Sequence, residues 1–339
     1  MKPTVSIVII NYNYEDFLAD AIESALAQSE PAEQILVVDD GSTDDSRRVI
    51  ESFVDQIETC YKENGGQPSA YNAALPLVDS DIVLILDSDD LLVPNCIETI
   101  RNVWKPGITK VQFPLTYIDG AGNETGGATP RVHHVGPIRE TALRFGGYAS
   151  PPSSGNAYCR TFLETIFPLS EESKYSADCL PITLAPCYGE VIGLEASLGK
   201  HRVHQSQSST APGEGLNHVH EPGWLTRSVS RDFEAYREFT QHLEKQDGPL
   251  LSRSSPMVPA LLRTMAAHQR VHSPLAGLGE GRKLCLRGIQ SSMQYPDYSS
   301  RDRCLLVIWF TFLFLTPAKV LLFMMKRNLG LNAAGLPNF

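Results

Sequence analysis

The chain has 339 residues, 42% of them hydrophobic, enough for one large domain with a full core plus an appendage. A formal net charge of −10 excludes a general nucleic-acid binder, which needs a basic face. The charge is uneven: residues 1–100 carry 4 Lys+Arg against 20 Asp+Glu, whereas residues 282–327 carry 8 against 2.

Val5-Ser6-Ile7-Val8-Ile9-Ile10 is almost wholly apolar and β-branched, the pattern of a strand buried on both faces. Residues 14–28 place Phe17, Leu18, Ala21, Ile22, Ala25 and Leu26 at helical spacing, and Pro31 stops that helix. Gln34 to Val38 predicts a second buried strand, ending in Asp39-Asp40-Gly41-Ser42, with Ser42 or Thr43 placed to cap the next helix. A weaker third strand runs from Ile57 to Tyr61. Asn64-Gly65-Gly66-Gln67-Pro68 reads as a turn, Ser69 to Leu77 as a short helix and Ile82 to Leu86 as a fourth strand. The βαβαβαβ order predicts an α/β fold with a parallel sheet and right-handed crossovers.

Open α/β sheets bind ligands at the carboxyl ends of their strands. That rim here carries Asn11-Tyr12-Asn13, Asp39-Asp40, Asn64 to Gln67, and Asp87-Ser88-Asp89-Asp90. The last cluster suits a divalent cation, which would in turn hold a phosphate. Neither GxGxxG after a strand nor GxxxxGK[ST] is present, so phosphate binding would need a metal instead of a glycine loop. Gly277-Leu278-Gly279-Glu280-Gly281 follows no strand and reads as a linker.

As an ordered set, Val5 to Asn13, Ile35 to Asp44, Asn64 to Gln67 with Asn72, and Leu86 to Asp90 resemble the family-2 glycosyltransferases of GT-A fold. The likeness covers residues 4–100, with weaker matches to residue 210. It implies a Rossmann-like, mostly parallel sheet flanked by helices, and inverting transfer from a nucleotide-diphosphate sugar, with UDP as the nucleotide. It also implies that Tyr12 stacks on the nucleobase and Asp39 bonds the base or ribose. Asn11, Asn13, Asn64, Gln67 and Ser88 would complete the nucleotide-sugar site. Asp87 and Asp89 would form the DxD motif, with Asp89 the direct ligand of Mg²⁺ or Mn²⁺ and Asp87 on the ribose or a metal-bound water. Tyr71, before Asn72, stands where many relatives carry Arg.

Residues 104–150 are rich in Gly, Pro and Thr and read as loops and strands, including one from Val111 to Tyr117. Pro151 to Tyr158 resembles an acceptor-side segment, which would bring Ser154, Gly155 and Asn156 near the sugar. Inverting transfer needs a base for the acceptor hydroxyl. The family uses the Asp of a Glu-Asp pair; the matching residue is Asp178, with Ala177 in place of Glu, and Glu171 or Glu172 the fallback. His201-Arg202-Val203-His204 resembles the closing Tyr-Arg-x-His. This implies His204 as a third metal ligand and Arg202 as a structural or phosphate partner. Ser206 to Gly215 is polar and reads as a lid.

Trp224 to Gln246, Pro256 to Val271 and Arg282 to Gln294 read as helices of a C-terminal helical appendage. Cys304 to Met325 is apolar, interrupted by Pro317 and Lys319 and flanked by Arg301, Arg303, Lys326 and Arg327. That pattern favours an anchor lying in a membrane interface over a span. The expected division is 1–220 for the glycosyltransferase-like domain (1–103 nucleotide-sugar half, 104–220 acceptor half), 221–300 for the appendage and 301–339 for the tail. Seven scattered cysteines without CxxC spacing read as reduced thiols, and no signal peptide is visible. Together these point to a cytoplasmic protein, peripheral at the inner face of the cell membrane. The acceptor would be a glycan or lipid-linked precursor in surface polysaccharide biosynthesis, with no nucleic acid as partner. A nucleotidyltransferase is a rival, but it needs a glycine-rich basic loop, and Asn11-Tyr12-Asn13-Tyr14 is neither. A non-catalytic sugar-nucleotide-binding scaffold is a second; Ala177 speaks for it and the DxD against it.

Overall fold

The computed structural model describes residues 2–130, 134–145, 147–170, 177–204, 278–294 and 299–315. The expected helices at 224–246 and 256–271, the lid at 206–215, Glu171 and Glu172, and the tail beyond Leu315 lie outside the described residues. The chain divides into two compact units, residues 1–139 with 150–203, and residues 140–149 with 204–339.

In the first unit, β1 (Val5–Asn11), α1 (Leu18–Leu26), β2 (Gln34–Asp39), α2 (Ser46–Glu51), β3 (Glu58–Tyr61), α3 (Gln67–Ala74) and β4 (Ile82–Asp87) alternate as expected. Their pairings are all parallel, in the order β3-β2-β1-β4. β5 (Leu91–Leu92), α4 (Cys96–Val103), β6 (Ile108–Gln112), β7 (Leu115–Ile118), β8 (Glu124–Thr129) and β9 (Gly136–Pro137) follow. After α5 (Arg139–Phe145) come β10 (Asn156–Cys159), α6 (Arg160–Ile166), α7 (Cys179–Tyr188), β11 (Glu190–Gly193) and β12 (Gly199–Arg202). The main sheet continues from β4 as β10-β6-β11-β9, with β10 antiparallel to both neighbours. A second sheet has the order β5-β12-β7-β8.

The apolar strands form these elements because both of their faces are covered. Val5, Ile7, Ile9, Ile82, Leu84 and Leu86 pack with Leu18, Ala21, Ile22 and Ala25 of α1 in one core. Each such side chain contributes about 1.5–3 kcal/mol on burial, so register slips that expose them are strongly disfavoured. Asn11 and Asp39 are held opposite one another, and β4 runs beside β1, so three strand ends share one rim.

Three local expectations are corrected. The strand expected from Val111 to Tyr117 is two, because Pro114 has no N–H to continue a ladder. The Pro114 carbonyl instead accepts from Leu198 N at 3.2 Å and Ser197 Oγ at 2.9 Å, and the chain crosses to the second sheet. Neither Ser42 nor Thr43 caps α2: Asp44 Oδ1 accepts the Ser46 N–H at 3.0 Å, while the Ser42 hydroxyl is drawn to Asp39. Residues 278–281 are not a linker, since α8 (Leu278–Gln294) begins there. Glycine costs little in a first turn, where the N–H groups have no intrahelical acceptor.

In the second unit, α8 packs on α9 (Ser300–Leu315). The Phe310 ring lies over Gly288, where a Cβ would come 2.2 Å from the ring. α8 lies in the segment expected as the appendage and α9 almost wholly in the one expected as the tail. On α9, Ile308 and Leu315 are 64% and 69% exposed, and Phe312 joins them on that side. Among the described residues no helix is long and apolar enough to cross a membrane.

Gly41 has φ +75°, and a Cβ there would meet Asn64 N at 2.6 Å. Gly41→Ala is therefore expected to cost about 1–3 kcal/mol, read as a lower urea midpoint with an unchanged slope. A midpoint equal to that of the unmodified protein would show that the β2 turn has room to move.

Candidate active site

At the ends of β1 and β2, short polar side chains fix one another. Asn11 is fully buried, and its Nδ2 donates to Asp39 Oδ1 at 2.9 Å and to Ser42 Oγ at 3.1 Å. It therefore orients Asp39 and does not face the rim itself. Asn13 adopts φ +59°, and its Oδ1 accepts the Thr43 N–H at 2.7 Å. Tyr12, between them, is 45% exposed, as an aromatic stacking platform must be. Asp40 is buried, ion-paired with Lys62, and accepts the N–H groups of Gly65 at 3.0 Å and Gly66 at 2.8 Å. It thereby shapes the Asn64 to Gln67 turn.

At the end of β4, four carboxylates crowd together. Asp90 is fully buried and accepts from His201 Nδ1 at 3.0 Å and from the Arg202 N–H at 2.9 Å. Burial pushes Asp90 up, while the His201 hydrogen bond and charge hold it down. His201 shows the converse: burial disfavours its charge, but the Asp90 hydrogen bond and the charges of Asp90, Asp89 and Asp87 outweigh that and raise it to about 9. Arg202 is 1% exposed and reaches four partners. Besides its N–H, its guanidinium donates to the Asp89 carbonyl, the Gly120 carbonyl and Asp20 Oδ2, each at 2.9 Å, and lies 4.9 Å from the Phe17 ring centre. It is thus the structural partner of the Asp87–Asp90 turn. Ser88 and Asp89 are buried in that turn.

Asp87 stands apart because, among the described residues, it has no ion pair as Asp90 has, although the His201 charge acts on it too. Burial raises it well above the ordinary carboxylate range, and the charges of Asp90, Asp89 and Asp178 add to the shift, against a Ser153 hydrogen bond. Asp178, assigned from a departed motif 91 positions along the chain, is therefore brought within electrostatic reach of the DxD motif. It precedes α7 without capping it through its side chain, and its Oδ1 is buried with no hydrogen-bond partner among the described residues. Gln67 does not point to a nucleotide here: its Oε1 accepts the Ala177 N–H at 2.9 Å and so fixes the segment that carries Asp178. Asn72 is used structurally as well, exchanging hydrogen bonds with the Leu169 backbone at 2.7 and 2.8 Å.

The acceptor-side segment lies under this cluster with its polar atoms spent inside the protein. Ser154 Oγ accepts the Asp87 N–H at 3.0 Å. Asn156 Nδ2 donates to the Pro152 carbonyl at 2.8 Å and to the Pro151 carbonyl at 3.2 Å. A Cβ on Gly155 would lie 2.7 Å from the Phe113 carbonyl. All three are buried, so they set the position of Asp87 in place of a direct sugar contact. Two neighbours of Asp178 were given no role from sequence: Tyr71, noted there only as standing where many relatives carry Arg, and Lys110. Tyr71 is buried on α3, its phenol pushed well above its ordinary value by burial and by the Asp87 and Asp178 charges, against a Ser153 hydroxyl. Lys110 is fully buried on β6 and donates to Ser150 Oγ at 2.8 Å; burial lowers it well below its ordinary value, and the Asp178 charge opposes this. The signal for Lys110 was a lone charge inside a buried strand.

The donor set fits a hard divalent cation. Asp87 and Asp89 would offer oxygen ligands, and a cation there would relieve the repulsion that raises Asp87. Among the described residues no three His, Cys, Asp or Glu side chains converge as a ready-made cage. A cation here would draw its remaining ligands from water and a diphosphate, as Mg²⁺ does. His204 groups with the second unit.

Residues 6–167 match the family model described as glycosyl transferase family 2. An uncharacterized glycosyltransferase of Nostoc sp. is 33% identical over 208 residues, 59% of this chain and 65% of its own length. The putative teichuronic acid biosynthesis glycosyltransferase TuaG of Bacillus subtilis is 38% identical over 93 residues, 26% of this chain and 37% of its own. The matches thus span less than two thirds of these relatives. The crystal structure of S. aureus TarS in complex with UDP aligns with a TM-score of 0.55 at 15% identity, covering 96% of this chain and 92% of that one. At that identity the shared property is the fold.

The His201–Asp90 pair predicts a pH dependence. A folded value of about 9 against an ordinary 6.5 means that the pair's contribution is complete below the lower value and is lost as pH rises through the higher. Unfolding of the metal-free protein is expected to become easier by on the order of 3 kcal/mol from pH 6.5 to above 9. His201→Gln should flatten that slope; an equal slope in the variant would assign the effect elsewhere.

Proposed function

Because residues 6–167 match the glycosyl transferase family 2 model, we propose that the chain moves a sugar, with inversion, from a nucleotide-diphosphate sugar to a hydroxyl of a glycan or lipid-linked acceptor. The observation that carries this is Asp178, a carboxylate with an unpartnered buried oxygen, gathered beside Asp87 at the rim of a GT-A sheet. Asp178 takes the proton of the acceptor hydroxyl while that oxygen attacks the anomeric carbon. The bond from that carbon to the phosphate oxygen breaks, and its electron pair leaves with the nucleoside diphosphate. Asp89 and Asp87 would hold Mg²⁺ or Mn²⁺; His204, expected as a further ligand, groups with the second unit and is left out of this set. When bound, such an ion stabilises negative charge on a diphosphate. Tyr12 stacks on the base, Asp39, aimed by Asn11, bonds the ribose or base, and Asn13, Asn64 and Ser88 shape the remaining wall.

UDP is the nucleotide we assign, the one bound on this fold in S. aureus TarS. A role in surface polysaccharide biosynthesis is supported by the likeness to TuaG. We place the chain at the inner membrane surface, held by the basic, apolar tail; the exposed Ile308, Phe312 and Leu315 on α9 support this.

With Mn²⁺ and a panel of UDP- and GDP-sugars, one donor is expected to turn over. Asp89→Ala and chelation should abolish turnover, and Asp178→Asn should lower it by about 10²–10⁴ while donor binding persists. Binding of no donor by the folded protein would favour the scaffold reading. Vesicles containing anionic lipid are expected to sediment the full chain, and less of it as salt rises. Equal recovery from neutral and anionic vesicles would remove the electrostatic part.

A further inference from the structure

Two buried polar atoms beside the DxD turn lack hydrogen-bond partners of normal geometry among the described residues: Asp178 Oδ1 and the Tyr71 hydroxyl. Such atoms are rare in folded proteins, and each costs about 1–3 kcal/mol if left unmet. Their adjacency follows from α3. Gln67 opens that helix and holds Ala177 N at 2.9 Å. Tyr71 stands four residues later, on the same face one turn along, and so comes beneath the same segment that carries Asp178. The Asp178 and Asp87 charges both act on its hydroxyl. Tyr71, itself buried, is one wall of an apolar recess that Val8, Ile10, Ala74, Val83, Leu163 and Phe167 also line.

An unpartnered acceptor oxygen and a phenol whose neighbour, the Ser153 hydroxyl, makes no hydrogen bond of normal geometry with it stand on one side of a carboxylate cluster, and together they match the two needs of a single hydroxyl group. We propose that Tyr71 and Asp178 form a hydroxyl-binding pair, in which the acceptor's O–H donates to Asp178 Oδ1 and its oxygen accepts from the Tyr71 O–H. The inference rests on the reading of Asp178 as the base. As Asp178 takes the proton, negative charge grows on the acceptor oxygen, and the Tyr71 O–H is already aimed at it. Burial among carboxylates keeps the phenol protonated and hence a donor at neutral pH. The pair admits a hydroxyl, which both donates and accepts. It leaves the Tyr71 hydroxyl facing another donor if a protonated amine enters instead, so the site selects oxygen acceptors.

A crystal structure of the full chain soaked in glycerol, whose hydroxyls stand in for an acceptor, tests the pair directly. An oxygen of glycerol or water is expected within about 3.2 Å of both Tyr71 Oη and Asp178 Oδ1. Finding the two atoms bonded to protein groups, or too far apart to share an oxygen, overturns the proposal. Tyr71→Phe keeps the ring and removes only the hydroxyl. Hydrolysis of UDP-GlcNAc and other UDP-sugars with Mn²⁺, water being the acceptor, is expected to slow about tenfold or more, with UDP affinity within about twofold. Unchanged hydrolysis, or UDP affinity lost in parallel, rejects the role. Asp178→Asn separates the two ideas: full activity there removes the base and the pair together, whereas loss there with an intact Tyr71→Phe removes Tyr71 alone. Should no UDP-sugar hydrolyse, the crystal structure decides by itself.

Discussion

The guanidinium of Arg202 is buried in the first unit and joins four parts of it. It meets the backbone carbonyls of Asp89 and Gly120 and the Asp20 carboxylate on α1, while its own N–H meets Asp90. A buried cation survives only where its hydrogen bonds are met, and here each is met by a group that itself needs a donor. The Asp87–Asp90 turn carries several negative charges in little space, and its backbone would otherwise have no reason to stay folded under that repulsion. Arg202 and the protonated His201 supply the positive charge from one short strand, β12. Removing either partner of such a buried arrangement typically costs about 3–5 kcal/mol, because the other is stranded.

The compensation is incomplete in one place. Asp90 is bonded directly to His201 and to the Arg202 N–H, whereas Asp87 feels the His201 charge without pairing with it and faces Asp89, Asp90 and Asp178. Excess negative charge at a rim is a cost to the fold that a cation would remove on binding, so stability and ligand affinity are coupled through the same carboxylates. This is how a site can be set up before its ligands arrive, with the repulsion gathered in one turn above an apolar core.

Around the carboxylates lies a layer of polar side chains whose work is internal. Asn11 holds Asp39, Asp40 holds the Gly65–Gly66 turn, Gln67 holds Ala177, and Ser154 with Asn156 holds the segment under Asp87. Buried backbone groups in loops must find partners, and short side chains from neighbouring strands provide them. The rim is rigid for that reason, and residues whose side chains are used this way shape ligand contacts through the backbone they hold.

The four buried strands of the amino-terminal half, their alternation with helices and the carboxylates at their ends were legible in the sequence, because both-faced burial leaves a long apolar run and parallel strands place their ends together. The motifs that carry the likeness to the family-2 glycosyltransferases lie in those same strand ends. Pro114, which splits one expected strand, shows the limit: its missing N–H was visible, but which sheet receives the chain beyond it depends on Leu198 and Ser197, more than 80 positions away. The same holds at the site. Asp178 could be named from a motif, yet only the folded chain sets it beside Asp87, Tyr71 and Lys110. Sequence alone determined which residue types stand at the strand ends, since that follows from local pattern. The tertiary structure decided which of them face outward, as Tyr12 does, and which are consumed within, as Asn11, Gln67 and Asn156 are, because hydrogen-bond satisfaction in a buried loop is settled between segments distant in the chain.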